Sequence, residues 1–195
     1  MINRYFPVFL DLKNKNILIA GGGSIAAQKL RSLIHTEANI TIASLEFCEE
    51  ITEMAKKEKN ITLKKNKVEN FNIDNFFLII TALDQKEINN LIVKRARKKN
   101  ILINSVDDPE NCDFFTASTI HKNNFIIAIS SGGYFPGLTK MLRKIMDSLL
   151  PDNHFEYLYK IFKLRQKLKK KIKNSKEREE ILKSIASEIE KKYFG

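Results

Sequence analysis

The chain has 195 residues, 43% hydrophobic and 29% charged, which suits one medium domain with an appendage or two small ones around an ordinary core. No run of eighteen apolar residues marks a membrane-spanning helix, the opening MINRYFPVFLDLKNKN predicts no secretory leader, and Cys48 and Cys112 give neither a disulfide framework nor a metal-ligand cluster, so a cytoplasmic protein with no metal site is expected. The net charge is +11, of which residues 155–195 hold +7; such a surface attracts nucleic acid, a membrane or a polycarboxylate, or is simply a solvated helix face.

In chain order, NILIAGGG reads as a buried strand ending in a glycine turn. SIAAQKLRSLIHTEA follows with helical spacing, its apolar face carried by Ile25, Ala26, Leu30, Leu33 and Ile34 and interrupted by Lys29. NITIAS is a second strand. LEFCEEITEMAKKEKN is a second helix, with Phe47, Ile51, Met54 and Ala55 on one side and its acids early and lysines late, as the helix dipole favours. ITLKKNKV is a short third strand, and NFFLIITALD a fourth, apolar enough to be central. QKEINNLIVKRARKKN is a third helix with Ile88, Leu91, Ile92 and Ala96 inward, and ILINSVDD a fifth strand. Near-continuous apolar strands alternating with helices predict a parallel, doubly wound Rossmann-like sheet up to about residue 108.

The pattern changes after Pro109. DFFTASTIHKNNFIIAISSGG reads as strand, turn and strand, a hairpin that needs a partner, such as the same hairpin of a second chain. PGLTKMLRKIMDSLLP is a helix opened near Pro136 and closed before Pro151. Two amphipathic helices end the chain. Leu158, Ile161, Phe162, Leu168 and Ile172 mark one face, and Ile181, Leu182, Ile185 and Ile189 mark the other, with Ser175 a candidate cap. The expected organisation is 1–112, a dinucleotide-binding domain; 113–150, hairpin and helix; and 151–195, a basic helical region.

Gly21, Gly23 and Ala26 spell G-x-G-x-x-A between a strand and a helix. Gly21 permits the turn, Gly23 admits a pyrophosphate to the backbone, and Ala26 lets the helix pack close. Ser24 and Ile25 at the helix N-terminus then face the phosphate oxygens; the alternative is a plain strand-to-helix turn. The second strand ends without an acid at its tip. Ser44 suits a ribose hydroxyl or a 2′-phosphate and Leu45 packs on adenine, so NAD and NADP stay unresolved here; otherwise Ser44 caps the next helix. Thr81, Ala82 and Asp84 end the fourth strand on the nicotinamide side, unless Asp84 is a helix cap. Asn104, Asp107 and Asp108 end the fifth strand at the same edge, where a carboxylate moves a proton or ligates a metal, or merely forms a turn. Ser130, Ser131, Gly132 and Gly133 form a candidate anion nest or a hinge. His35, His121 and His154 have no metal spacing.

FPVFLDLKNKNILIAGGGSIAAQKLRSLI, INSVDDPENCDFFTAS and IAISSGGYFPGLTKMLRKIMDSLLP, in this order and spacing, resemble the precorrin-2 dehydrogenase family, the dehydrogenase–ferrochelatase part of siroheme synthase and its free-standing relatives. The resemblance covers residues 3–153, with the C-terminal helices matching in length and character. It implies a Rossmann domain, a small β dimerisation region, a helical C-terminal region and an interlocked homodimer. It also implies NAD-dependent oxidation of precorrin-2 to sirohydrochlorin, with ferrous iron inserted by some members. The glycine motif falls on Gly21, Gly22 and Gly23, the catalytic aspartate on Asp107, and the S-S-G-G segment on Ser130 to Gly133. Lys140, Arg143 and Lys144 are candidate contacts for the substrate's carboxylates, or a solvated helix face. Two departures stand out. Ala117-Ser118 replaces a proline-containing pair, and a chain ending at Gly195 is expected to lack the methyltransferase domain, so that precorrin-2 comes from another protein. The competing readings are a non-catalytic dinucleotide- or tetrapyrrole-binding regulator and, far behind, a nucleic-acid binder, for which the basic helices lack stacking aromatics and a groove-reading motif. No nucleic-acid and no membrane partner is expected.

Overall fold

The computed structural model describes residues 5–106, 108–122, 125–149 and 163–193. Contacts divide the chain into two units, the first up to Thr116 and the second from Ala117 on. The first unit alternates strand and helix except between β3 and β4, where only a 3-10 turn at Val68–Asn70 intervenes: β1 (Asn16–Ala20), α1 (Ser24–Leu33), β2 (Asn39–Ser44), α2 (Glu49–Lys57), β3 (Ile61–Lys65), β4 (Leu78–Thr81), α3 (Lys86–Lys98) and β5 (Leu102–Ser105). The five strands pair in parallel in the order β3-β2-β1-β4-β5. The chain reverses direction across the sheet between β1 and β4, and the carboxyl ends of those two strands open the crevice where such sheets take ligands.

Strand parity explains the continuous apolar runs. Ile17 and Ile19 of β1, with Ile40, Ile42, Leu78 and Ile80, face one side, where Ala26, Ala27, Leu30 and Leu33 of α1 and Ile51 of α2 cover them. Leu18, Ala20, Ala43, Ile79 and Ile103 face the other, under Ile92, Val93 and Ala96 of α3. Both faces are dry, so alternation with polar residues disappears.

Several boundaries differ from the sequence reading. Helix α1 stops at Leu33, because the Thr36 hydroxyl and N–H both donate to the Leu33 carbonyl and Glu37 turns into the left-handed region at φ 57°. Ile25 is exposed rather than packed, and Ala27 takes the buried place. Helix α2 starts at Glu49, not at Leu45; the segment before it is pinned open by the Cys48 N–H donating to the Gly22 carbonyl at 2.8 Å. On α3 the buried stripe is Asn89, Ile92, Val93 and Ala96, while Leu91 is 43% exposed.

The second unit opens with the expected hairpin, β6 (Ser118–Lys122) antiparallel to β7 (Phe125–Ile129). Helix α4 (Pro136–Leu149) packs against it, with Lys122 Nζ 3.1 Å from the Asp147 carboxylate. Pro136 opens α4, where its missing N–H costs nothing. Residues 163–171 are helical, α5, and α6 spans Ser175–Tyr193. Leu168, Ile172, Ile181, Leu182 and Ile185 are half-buried as expected; Leu158, Ile161 and Phe162 lie outside the described residues, as does the Ile189 side chain. The cap of α6 is Asn174 rather than Ser175. Its Oδ1 accepts from the Lys176 N–H at 3.0 Å, and Glu177 then stands three residues on, where a capping box places it. Arg178 closes the turn by donating to the Ile172 and Lys173 carbonyls. Among the described residues no helix is long and apolar enough to cross a membrane.

Candidate functional site

A cavity of about 770 Å³ lies along the glycine corner at the carboxyl ends of β1, β2 and β4. Three glycines shape it in different ways. Gly21 has φ 126°, a conformation that L side chains avoid, and a Cβ there would run into the Ala82 carbonyl. A Cβ on Gly22 would collide with the Glu46 carbonyl and come within 2.9 Å of Ser44 Oγ. At Gly23 a Cβ would meet nothing within 4 Å. The first two are glycine because the fold leaves no room; the third opens onto free space.

Helix α1 begins at that space. Gly23 is its N-cap, no side chain caps it, and no acid occupies its first turn. Its first N–H groups therefore lack a partner from a cap and carry the positive end of the helix dipole, an arrangement that suits a phosphate. Open space at Gly23 and an uncapped N-terminus beside it fit a dinucleotide pyrophosphate.

Of the cofactor residues expected from sequence, Gly21, Gly22, Gly23, Ser24, Ile25, Ser44, Leu45, Ala82 and Asp84 all line this cavity. Ser44 does not cap α2, whose N-cap is Cys48. Thr81 and Asn104 are not in the lining. Thr81 is fully buried and its hydroxyl donates to Ser105 Oγ, its register partner on β5, at 3.2 Å. Asn104 is 4% exposed and donates through Nδ2 to the Phe114 carbonyl at 2.9 Å. Both serve the sheet and its loops. The sequence reading missed the far wall, Asn66 and Lys67 after β3, and Leu83, Gln85 and Ile88 at the start of α3. Asn66 follows β3 directly, and the parallel register of β2 with β3 sets it beside Ser44, whose carbonyl takes the Asn66 N–H at 3.1 Å.

A second chamber, about 390 Å³, shares Ile25, Ala82, Leu83 and Asp84 with the first and adds Lys86, Asn89, Asn90, Val106 and Asp108. Asp107 lies outside the described residues; its neighbours Val106 and Asp108 both line this chamber. The loop after β5 is tied back to the strand. Cys112 Sγ lies 3.1 Å from the Ser105 carbonyl and 3.3 Å from that of Asp108, and it accepts from the Ser105 N–H at 3.2 Å. Burial pushes the Cys112 thiol above its ordinary 9.0, so it stays protonated and can donate. Asp113 Oδ2 accepts from the Ile103 N–H, and Asp108 Oδ2 from Asn111 Nδ2 at 2.7 Å.

Ser130 to Gly133 belong to the second unit. Ser130 Oγ accepts from the Gly132 N–H at 3.1 Å, and Ser131 Oγ accepts from the Phe135 N–H at 3.0 Å. Gly132 and Gly133 turn at φ 64° and 87°. The Gly132 N–H counted for an anion nest is thus already bonded, while each serine keeps its own O–H to donate. Lys140 and Arg143 sit on α4, Lys140 exposed and Arg143 half-buried. No group of three or more His, Cys, Asp or Glu side chains suited to a metal ion occurs among the described residues.

The chain is similar to known proteins. A family model described as putative NAD(P)-binding matches residues 8–118. The siroheme synthase of Buchnera aphidicola subsp. Acyrthosiphon pisum is 33% identical over 89% of this chain and 37% of its own length. That of Mannheimia succiniciproducens is 34% identical over 93% of this chain and 38% of its own. The chain thus spans under two-fifths of the length of these curated relatives. A solved structure described as SirC, precorrin-2 dehydrogenase, shares the fold with a TM-score of 0.79 over 93% of this chain and 89% of that one, at 24% identity.

Proposed function

The chain belongs to the putative NAD(P)-binding family, and from that premise we propose that it is an NAD-dependent precorrin-2 dehydrogenase, oxidising precorrin-2 to sirohydrochlorin. The observation that carries the reading is the joint fit of a glycine-cornered cavity at the switch point and identity to siroheme synthases across nine-tenths of the chain. NAD, when bound, supplies the hydride acceptor. The uncapped N-terminus of α1 holds its pyrophosphate, Gly23 lets the phosphate approach the backbone, and Ser44 and Leu45 meet the adenosine end. The oxidation removes one hydride and one proton from the macrocycle, so a base is needed. Asp107, on which the family's catalytic aspartate falls by resemblance, is the residue proposed as that base. Precorrin-2 carries eight carboxylates, and Lys140, Arg143, Ser130, Ser131, Gly132 and Gly133 are the groups offered to them from the second unit.

The organisation proposed is a dinucleotide-binding domain, a dimerisation region of hairpin and α4, and a basic C-terminal helical region. Exposed Phe125, Ile126, Leu138, Met141, Leu142 and Ile145 on that hairpin and helix support a homodimer. An anaerobic incubation with precorrin-2 and NAD tests the function. Appearance of NADH together with the sirohydrochlorin absorbance is expected, and their absence would remove the reading. Ferrous iron added afterwards reads a siroheme-forming step separately. Tight NAD binding with no turnover on any tetrapyrrole would favour the regulatory reading.

A further inference from the structure

Two buried side-chain oxygens have no hydrogen-bond partner among the described residues, Asn89 Oδ1 and Asn104 Oδ1, and of the two Asn89 lines the second chamber. Asn89, on the first turn of α3, is 7% exposed and lines the chamber. Its Nδ2 donates to the Leu83 carbonyl at 2.8 Å, whereas its Oδ1 has no hydrogen-bond partner among the described residues. The amide cannot be turned over, since that would set two oxygens 2.8 Å apart. A buried carbonyl without a donor costs about 1–3 kcal/mol unless something fills the vacancy, so the chamber is short of a donor, an N–H or an O–H.

The chamber's charge narrows the donor. Among the described residues of its lining, Asp84 and Asp108 contribute two carboxylates against the ammonium of Lys86. Such walls disfavour the carboxylate arms of a polyanionic substrate and suit a cationic ring carrying amide N–H groups. Ile25, Ala82, Leu83 and Asp84 line both cavities, so the chamber abuts the cavity at the α1 N-terminus. A dinucleotide held there by its pyrophosphate runs on past Ile25 and brings its nicotinamide end to Asn89.

We infer that Asn89 reads the nicotinamide carboxamide, its Oδ1 accepting the amide N–H of the bound dinucleotide. The inference rests on the dinucleotide reading of the larger cavity. It makes Asn89 the residue that fixes the ring's rotation, and hence which face of the ring meets the substrate.

The test compares three ligands by calorimetry: NAD, its 3-acetylpyridine analogue, which carries a methyl in place of the amide NH2, and ADP-ribose, which lacks the nicotinamide ring. The full chain binds NAD about fivefold more tightly than the analogue. In Asn89→Ala the two bind alike, and ADP-ribose affinity stays unchanged. A preference that survives in Asn89→Ala, or that is absent from the parent, overturns the inference. So does a parallel loss of ADP-ribose binding, which would mean that Asn89 acts only by holding the Leu83 loop. If Asn89→Ala does not fold, Asn89→Leu, which fills the amide's space without its acceptor, takes its place; the two ligands are expected to bind alike there too, and a surviving preference overturns the inference equally. Failure of the dinucleotide reading looks different, since the parent would then bind neither NAD nor ADP-ribose.

Discussion

Gly23→Ala separates what the glycine corner does for the fold from what it does for the ligand. Gly23 has φ −87° and ψ −168°, extended backbone open to any residue, and its Cβ would meet nothing within 4 Å. Two stability effects oppose each other. Alanine restricts the unfolded chain, worth roughly 0.4–1 kcal/mol in favour, but it is a poorer N-cap than glycine by about the same amount. The melting temperature should therefore move by no more than a few degrees. The ligand pays instead. A methyl group at the mouth of α1 holds a phosphate away from backbone N–H groups, and a lost charge-assisted hydrogen bond costs about 1.5–3 kcal/mol, roughly ten- to a hundredfold in NAD affinity. Gly22→Ala is the contrast, because its Cβ strikes the Glu46 carbonyl. Overpacking of that kind costs roughly 1–3 kcal/mol and lowers the melting temperature whether or not NAD is present. The assay is a melting curve of each variant without ligand, followed by an NAD titration. A Gly23→Ala protein that melts as low as Gly22→Ala, or binds NAD as well as the parent, would refute the argument that this glycine is kept for the ligand.

Asp107→Asn is expected to leave melting and NAD affinity unchanged and to lower turnover on precorrin-2 at least a hundredfold; retained turnover removes Asp107 from the proton step. The Cys112 thiol is held above its ordinary 9.0 by burial. The stability it lends is therefore fully present below that value and is lost as pH rises through the higher folded value. Melting temperature should fall on the alkaline side in the parent and fall less in Cys112→Ala, which a pH series of melts checks. Ser131→Ala removes the acceptor of the Phe135 N–H and should cost roughly 0.5–1.5 kcal/mol locally, seen as faster hydrogen exchange at Phe135 with the amides of β1 unaffected.

The sheet was legible in the sequence because β1, β2 and β4 are short, apolar and each followed by a helix with clear periodicity. The helix ends were less so. Nothing in a 3.6-residue period says that Thr36 will turn its hydroxyl back onto Leu33, or that the Cys48 N–H will hold Leu45 to Phe47 off the helix. Both are contacts between a side chain or loop and backbone, and they compete with a helix that propensity alone would extend. The cap of α6 has the same cause. Asn174 precedes Ser175, and both can cap, but only the earlier residue also leaves Glu177 three positions on.

The site divides along a similar line. A strand's carboxyl end can be found from sequence; which of its last residues faces the crevice cannot. Thr81 and Ser105 close β4 and β5 in register and the Thr81 hydroxyl donates to Ser105 Oγ, so Thr81 turns into the sheet and the cavity wall begins at Ala82. Asn104, one residue before Ser105, spends its amide on the Phe114 carbonyl. Reading the strands singly hides both, because each is decided by a partner on another element. Pairing them predicts the outcome. A hydroxyl that finds its register partner belongs to the sheet, and an amide that reaches a loop carbonyl belongs to the loop. Asn89 and Asn104 both meet the second condition through nitrogen and leave a buried oxygen unpaired; of the two, Asn89 lines the second chamber, and that place in the wall, not the unpaired oxygen by itself, is what ties it to a ligand.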